Sequence, residues 1–567
     1  MPDRLNLAQR AADLQRMAGE TFDIVVIGAG STGTGSALDA ASRGLSVALV
    51  EARDFASGTS SRSSRLIHGG LRYLEQGELC LVREALRERS LLLNVIAPHL
   101  VRPVPFLYPL TRRLWERVYV GAGMLAYDTL GGSRGLHRHR HMTRRQALRI
   151  APGLDPDALI GAIQYCDAKV DDARHTMTVA RTAARYGAAV ASNAPVVGFL
   201  REAGRITGVR VLDLQSREEI EVRSRQVINA AGVWTDDVQQ LVGERGKLRV
   251  RASKGIHLVV PRDRVQLDTG LILRTEKSVL FVIPWGRHWI IGTTDHDWEL
   301  DKAHPAASFT DIDYVLDQVN SVLASPLAHE DVEGVYAGLR PLLADESEGT
   351  GKLSREHSVS SPAPGLVSVA GGKYTTYRIM GRDAVDAAVR GLDQKVPPSA
   401  TDTTPLLGAE GYHALFNQRT RLARQSDLHV ERIEHLLGRY GAAVHDLLAE
   451  IADDPALGEP LEGADDYLRA EVRYAASHEG ALHLDDVLAR RTRISTETFD
   501  RGLTAAEPAA RLMGEVLGWT DERREHEVDL YRRRVAAERE SQTKPDDQAA
   551  DVARTSAPDA LSAARSA

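Results

Sequence analysis

Glycines, hydroxyls and cations occur in this chain at spacings that suit a phosphate-bearing ligand. Gly28-Ala29-Gly30-Ser31-Thr32-Gly33 follows the apolar run Ile24-Val25-Val26-Ile27 and precedes an alanine-rich stretch closed by Gly44. Glycines so placed let the chain turn sharply and bring backbone N–H groups against a pyrophosphate at a helix N-terminus. The next apolar run, Ser46 to Val50, ends in Glu51. That is about twenty residues past the first glycine, where a carboxylate accepts hydrogen bonds from ribose hydroxyls and repels a 2′-phosphate. Together these parts make a βαβ dinucleotide site for FAD or NAD, and not for NADP. Three further clusters favour a flavin. The run from Gly58 to Leu74 concentrates hydroxyls (Thr59, Ser60, Ser64) that can hold phosphate and ribose oxygens. Within it Gly69 and Gly70, with Leu71 after them, permit close approach to a flat ring. Gln226 to Trp234 is a strand running into small residues at Gly232. Val367 to Arg378 is another, entering a helix through Gly371-Gly372-Lys373-Tyr374-Thr375. A helix N-terminus and Lys373 supply positive potential where a reduced flavin develops negative charge.

The elements that must position these residues are legible in the hydrophobic pattern. Residues 201–227 alternate apolar and polar side chains around Gly204 and Gly208, the mark of antiparallel strands, and Val279–Ile283 with Trp289–Ile291 suggest a second sheet. After a composition break near residues 397–405, Val430 to Ile451 carries apolar residues at helical spacing. The expected division is an N-terminal extension at 1–21, a cofactor-and-substrate region at 22–400, a helical domain at 401–540 and a disordered tail at 541–567, where large apolar residues are scarce. At 567 residues the chain can bury a large core in two or three domains. A net charge of −7 gives no reason to expect nucleic acid as a partner, and the two cysteines, Cys80 and Cys166, cannot make a disulfide framework or a zinc site. His137-Arg138-His139-Arg140-His141 reads as a basic loop, since arginines repel a cation, and no metal is expected. Neither a secretory signal nor a run of about eighteen apolar residues is present, so the expected location is the cytoplasm.

Taken together, the Gly28–Gly33 turn, the Thr59–Leu74 run, Ala337-Gly338-Leu339-Arg340-Pro341-Leu342, Gly371–Arg378 and Asp485–Arg493 resemble the bacterial FAD-dependent glycerol-3-phosphate dehydrogenases, from about Phe22 to about Trp519. The resemblance implies an α/β fold: a Rossmann-like FAD-binding domain of the glutathione-reductase or D-amino-acid-oxidase type, an antiparallel-sheet substrate domain and a helical C-terminal domain. It also implies noncovalent FAD, oxidation of sn-glycerol 3-phosphate to dihydroxyacetone phosphate, electron delivery to quinone, and peripheral attachment to the cytoplasmic membrane surface. Monomer and homodimer both stay open. It carries the substrate site onto Arg72, Tyr73, Arg340, Arg355 and Lys373, with His257 alongside. Arginine suits a phosphate through paired hydrogen bonds, and His257 is one candidate for the base while Arg340 could stabilise the alkoxide directly. An oxidase passing electrons to oxygen, or a non-catalytic nucleotide-binding protein, are the alternatives. The segment from Arg112 to Tyr127, which mixes Leu114, Trp115, Val118, Tyr119, Met124 and Leu125 with Arg112, Arg113 and Arg117, is the expected membrane surface. Arg65 and Ala489 depart from the family pattern, the first keeping its charge.

Overall fold

A computed structural model describes residues 3–70, 73, 77–111, 115–131, 136–243, 248–275, 279–343 and 356–559. Its first sheet forms around β1 (Thr21–Ile27), which pairs in parallel with β2 (Val47–Val50) and with the C-terminal half of β10 (Glu219–Asn229). β7 (Ala189–Ala191) extends it on one side, and β18 (Leu366–Gly371) and β17 (His357–Ala363) on the other. Alternate side chains of a strand point to opposite faces, and both faces of this sheet are covered, which is why its strands read as continuous apolar runs. Ile24, Val26 and Leu49 pack with Ala37 and Ala41 of α1 (Ser31–Ser42), Val179 and Ala183 of α2 (Asp172–Arg185) and Val385 of α3 (Tyr377–Val389). Val25, Ile27 and Ala48 face the opposite way, against Met17 of the N-terminal helix and the antiparallel β8–β9 hairpin (Val196–Glu202 and Arg205–Leu212).

The second sheet carries the chemistry-bearing strands. Its centre is β11 (Val250–Pro261), antiparallel to β16 (Gly334–Leu343) along nearly its whole length, with Ser253 opposite Arg340 and His257 opposite Tyr336. On its other edge β11 meets β14 (His288–Gly292) and β15 (His296–Trp298), and the sheet continues through β13 (Val279–Trp285) to β4 (Arg102–Leu110) and β6 (Gly161–Lys169). Behind the sheets a helical region has a core of its own, including Ile433, Leu436, Leu447 and Leu488. The helical stretch expected over 430–451 is two helices, Val430–Tyr440 and Val444–Asp453, broken where Gly441 takes φ +55°.

The tail read as disordered is in part ordered. A helix, α4 (Asp547–Thr555), is capped by Asp546 and buries Ala550 and Ala553. Its stripe of small residues has no hydrophobic signal alone; Ala550 packs beneath Val233, Ala252, Trp298 and Leu339, whose larger side chains supply the apolar surface. Among the described residues no helix is long and apolar enough to cross a membrane.

What joins the helical region to the first sheet is charge. Arg491 makes a bidentate pair with Asp54 (2.6 and 2.7 Å), which Arg490 also reaches at 2.6 Å. Arg174 pairs bidentately with Glu479, and Arg493 binds Asp171, Asp172 and the carbonyl of Ser61. All are buried. Removing one member of such a pair leaves its partner desolvated and unpaired, a cost of about 3–5 kcal/mol. Arg493→Met is therefore expected to lower unfolding free energy by that amount in chemical denaturation and to loosen the Ser61 segment, so that the protein purifies with less flavin. A loss below about 1 kcal/mol would contradict this account.

Candidate functional site

A cavity of about 360 Å³ opens where the two sheets meet. Its lining includes Glu51, Ala194 and Val196 from the first sheet and its loops, His257 and Arg340 from the second sheet, and Lys373 and Tyr374 from the turn after β18. The glycine turn forms its floor. Gly28 has φ +98°, and a Cβ there would stand 2.9 Å from the Ala230 carbonyl; a Cβ on Gly33 would fall 1.8 Å from the Gly28 oxygen. Gly33 is thus required behind the turn, while Gly28 and Gly30 face the cavity. Such a cradle, at the N-terminus of α1 and empty of large side chains, fits the pyrophosphate of a dinucleotide.

The hydroxyl run is held from both sides. Ser60 Oγ accepts from the Ser31 N–H at 2.9 Å, which fixes it beside the helix N-terminus. Thr59 Oγ1 donates to the Leu339 carbonyl at 2.6 Å, and Ser63, through N–H and Oγ, donates to Asp172. The Glu51 carboxylate accepts from the Ala29 N–H (2.6 Å) and the Arg53 N–H (2.8 Å), and burial raises its pKa above the usual carboxylate value.

Arg340 donates to Asp295 (3.2 Å), Thr293 Oγ1 (3.0 Å) and the Thr294 carbonyl (3.0 Å). Gly255 on the facing strand makes room for it: a Cβ there would lie 2.5 Å from Nη2. His257 is buried, stacks on Tyr336 with ring centroids 4.8 Å apart, and shares a 2.8 Å hydrogen bond between Nε2 and Ser64 Oγ. Burial first, then the Arg340 and Arg65 charges, hold its pKa well below the ordinary value, so the ring is neutral. Lys373 lies over the Tyr73 ring, 3.3 Å from its centroid.

Of the residues anticipated from sequence, Gly28, Gly30, Glu51, Thr59, Ser60, Ser64, Tyr73, Gly232, His257, Arg340, Gly372 and Lys373 line this one cavity. Gly69, Gly70 and Thr375 do not. A Cβ at Gly69 would meet Leu86 and Tyr127, and one at Gly70 the Tyr73 ring, so protein packing alone requires glycine at both. Thr375 Oγ1 bridges the backbone of His68. Leu71, Arg72 and Arg355 lie outside the described residues. Sequence reading missed Arg62, which lines the cavity and donates to the Ala303 carbonyl. Burial and the neighbouring Arg490, Arg534 and Arg554 pull its pKa down to about 9. It also missed Ala194-Pro195-Val196, whose contribution depends on a fold-back from β7 that no motif marks.

Comparisons with known proteins place the chain. Residues 23–382 match the family model described as FAD dependent oxidoreductase, and 399–524 that described as C-terminal domain of alpha-glycerophosphate oxidase. "Glycerol-3-phosphate dehydrogenase 2" of Mycobacterium tuberculosis is 59% identical over 556 residues, covering 98% of this chain and 95% of the relative. The chain belongs to the FAD-dependent glycerol-3-phosphate dehydrogenase family. The mitochondrial enzyme of Bos taurus is 37% identical over 90% of this chain and 73% of its own. The solved structure of the glycerol-3-phosphate dehydrogenase of Bacillus halodurans, complexed with FAD, superposes with a TM-score of 0.77 at 27% identity, covering 94% of this chain and 98% of that one. FAD is accordingly the cofactor, and the fold is of the glutathione-reductase or D-amino-acid-oxidase type that the family resemblance implied.

The buried histidines give the fold a pH dependence. His99 and His175 are held down to about 3, chiefly by burial, and His257 lower than its ordinary value for the same reason. All three stay neutral when folded, whereas the unfolded chain protonates them below a pH of about 6.5. The unfolded state therefore binds more protons as pH falls, and each group removes about 1.4 kcal/mol of stability per pH unit. Replacing His175 by Gln is expected to reduce the slope of unfolding free energy against pH, between about pH 6 and 4.5, by that amount. An unchanged slope would show that His175 is charged in the folded protein.

Proposed function

We propose that the protein oxidises sn-glycerol 3-phosphate to dihydroxyacetone phosphate, with noncovalently bound FAD taking the hydride and quinone receiving the electrons at a membrane surface. The observation that carries the reading is that two cations, Arg340 and Lys373, line the same cavity as the glycine turn and Glu51. A dianionic phosphate needs such groups to fix the secondary alcohol in one geometry, and Arg72 and Arg355 are proposed to join them. Arg340, oriented by Asp295 and Thr293, stabilises the alkoxide that forms when the hydroxyl proton leaves. That proton goes to His257. Because Nε2 is bonded to Ser64 Oγ and Nδ1 is buried, the transfer runs through the Ser64 hydroxyl, which lines the cavity.

Arg340→Ala and Lys373→Ala are expected to keep their flavin and to lose at least about a hundredfold in dye-linked turnover, the scale of one preorganised charged donor. Equal activity on glycerol and on glycerol 3-phosphate would sink the phosphate clamp. Because the C-terminal family model carries the name of an oxidase, oxygen is the second acceptor to test. Peroxide released at the rate of substrate oxidation would establish it.

For the membrane surface the support is the helix Trp115–Gly131, where Trp115 (56% exposed), Val118 (70%), Tyr119 (47%) and Leu125 (62%) lie on one side while Met124 is buried. Exposed apolar residues at this spacing suit the interfacial layer of a bilayer. Arg112, Arg113 and Leu114 lie outside the described residues, and Arg117 donates to the Met142 carbonyl instead of facing outward. Changing Val118 and Leu125 together to Ser is expected to reduce co-sedimentation with anionic vesicles and slow quinone reduction while dye-linked activity stays. Undiminished sedimentation would move the surface elsewhere.

A further inference from the structure

The matched family domains end at residue 524, yet the chain past Ser541 makes specific contacts with both halves of the cofactor cavity. On the substrate-sheet half, Asp547 at the start of α4 pairs with Lys254 Nζ. Lys254 is fully buried on β11, where it also binds Asp311 (2.6 Å) and the Ala306 carbonyl (3.2 Å) and lies over Trp298. Its strand neighbours Gly255 and His257 line the cavity, and Ser253 stands opposite Arg340. Farther along, Asp551 accepts from the Asp301 N–H, and Arg554 meets His304 at 3.3 Å. On the first-sheet half, Asp559 pairs with Arg53 at 2.5 Å, two residues after Glu51, and reaches His304 at 3.3 Å as well. Between these anchors Ala550 fills the space behind Val233 of one half and Leu339 of the other, both of which wall the cavity.

We infer that the segment Asp547–Asp559 is a latch that holds the two halves of the cavity in register around FAD, with Asp547 a positioning residue for the strand that bears His257. The inference rests on the cofactor assignment and is independent of the substrate. A latch that touches both walls but not the ligand acts by preorganisation: closing the halves beforehand removes that cost from binding. The coupling is reciprocal, so FAD must tighten the latch by the factor by which the latch tightens FAD. A helix that merely tidies the chain end obeys no such relation. An isolated buried ion pair barely offsets its own desolvation. Here ion pairs sit at both ends of one short segment and on opposite sides of one cavity.

The test uses the full-length holoprotein in two measurements. FAD release, followed by the rise of flavin fluorescence on dilution, is expected to quicken at least tenfold in Asp547→Asn and severalfold in Asp559→Asn. The second variant, at a partly open position, covers the case in which the first fails to fold. Hydrogen exchange of the amides from Ala549 to Ala553 is expected to be slower in the FAD-loaded unmodified protein than after FAD is stripped. Release within twofold of the unmodified protein in both variants, or exchange of α4 indifferent to FAD, overturns the latch. A failure of the cofactor assignment looks different: the unmodified protein itself would purify colourless.

Discussion

The arrangement depends on three arginines of one short segment, Arg490, Arg491 and Arg493, being buried against Asp54, Asp171 and Asp172. Desolvating these groups is expensive, and a guanidinium and carboxylate persist in such a place only when nearly every donor and lone pair is matched. The surrounding cations keep Asp54 and Asp171 below the usual carboxylate range, so the carboxylates stay charged despite burial. What the network fixes is the hydroxyl-rich loop that lines the cavity. Asp54 lies in the loop after β2 and Glu51; Asp172 holds Ser63; Arg493 holds the Ser61 carbonyl. The helical region therefore acts on the cavity through the loops it restrains, although none of its described residues lines it.

Much of this was legible in the residues. The glycine turn and its two strands announce a parallel sheet because burial on both faces demands unbroken apolar runs, and Gly28 and Gly33 are needed where contacts fall below van der Waals distance. The hydroxyl run and the Gly372-Lys373 turn were recognisable from composition. Other parts were not. Gly69 and Gly70 look like ligand glycines in a linear reading, but what crowds them is Leu86, Tyr127 and Tyr73, contacts that only the fold creates. The C-terminal helix escaped notice because its apolar surface is supplied by Trp298 and Leu339 on other strands. The arginine cluster carried a motif without a partner, since Asp54 lies more than four hundred residues away in the chain.

A common physical theme runs through the cavity's lining. At the glycine turn the Ala29 N–H donates to the Glu51 carboxylate and the Ser31 N–H to Ser60 Oγ, beside the positive end of a helix. Arg340 and Lys373 line the same cavity as His257. Burial first, then the Arg340 and Arg65 charges, keep the His257 imidazole neutral. Because both sheets contribute walls, site geometry is set by how the halves meet, which makes the inter-domain ion pairs as consequential as the lining residues.

If this cavity brings FAD against a cationic site that selects a phosphorylated secondary alcohol, that alcohol itself must reduce the flavin. The most direct measurement is the visible spectrum of the purified yellow protein, recorded anaerobically before and after addition of sn-glycerol 3-phosphate. The account predicts bleaching of the flavin absorption at micromolar to millimolar substrate, with none on addition of glycerol alone. A flavin band that dithionite bleaches but sn-glycerol 3-phosphate leaves untouched would contradict it.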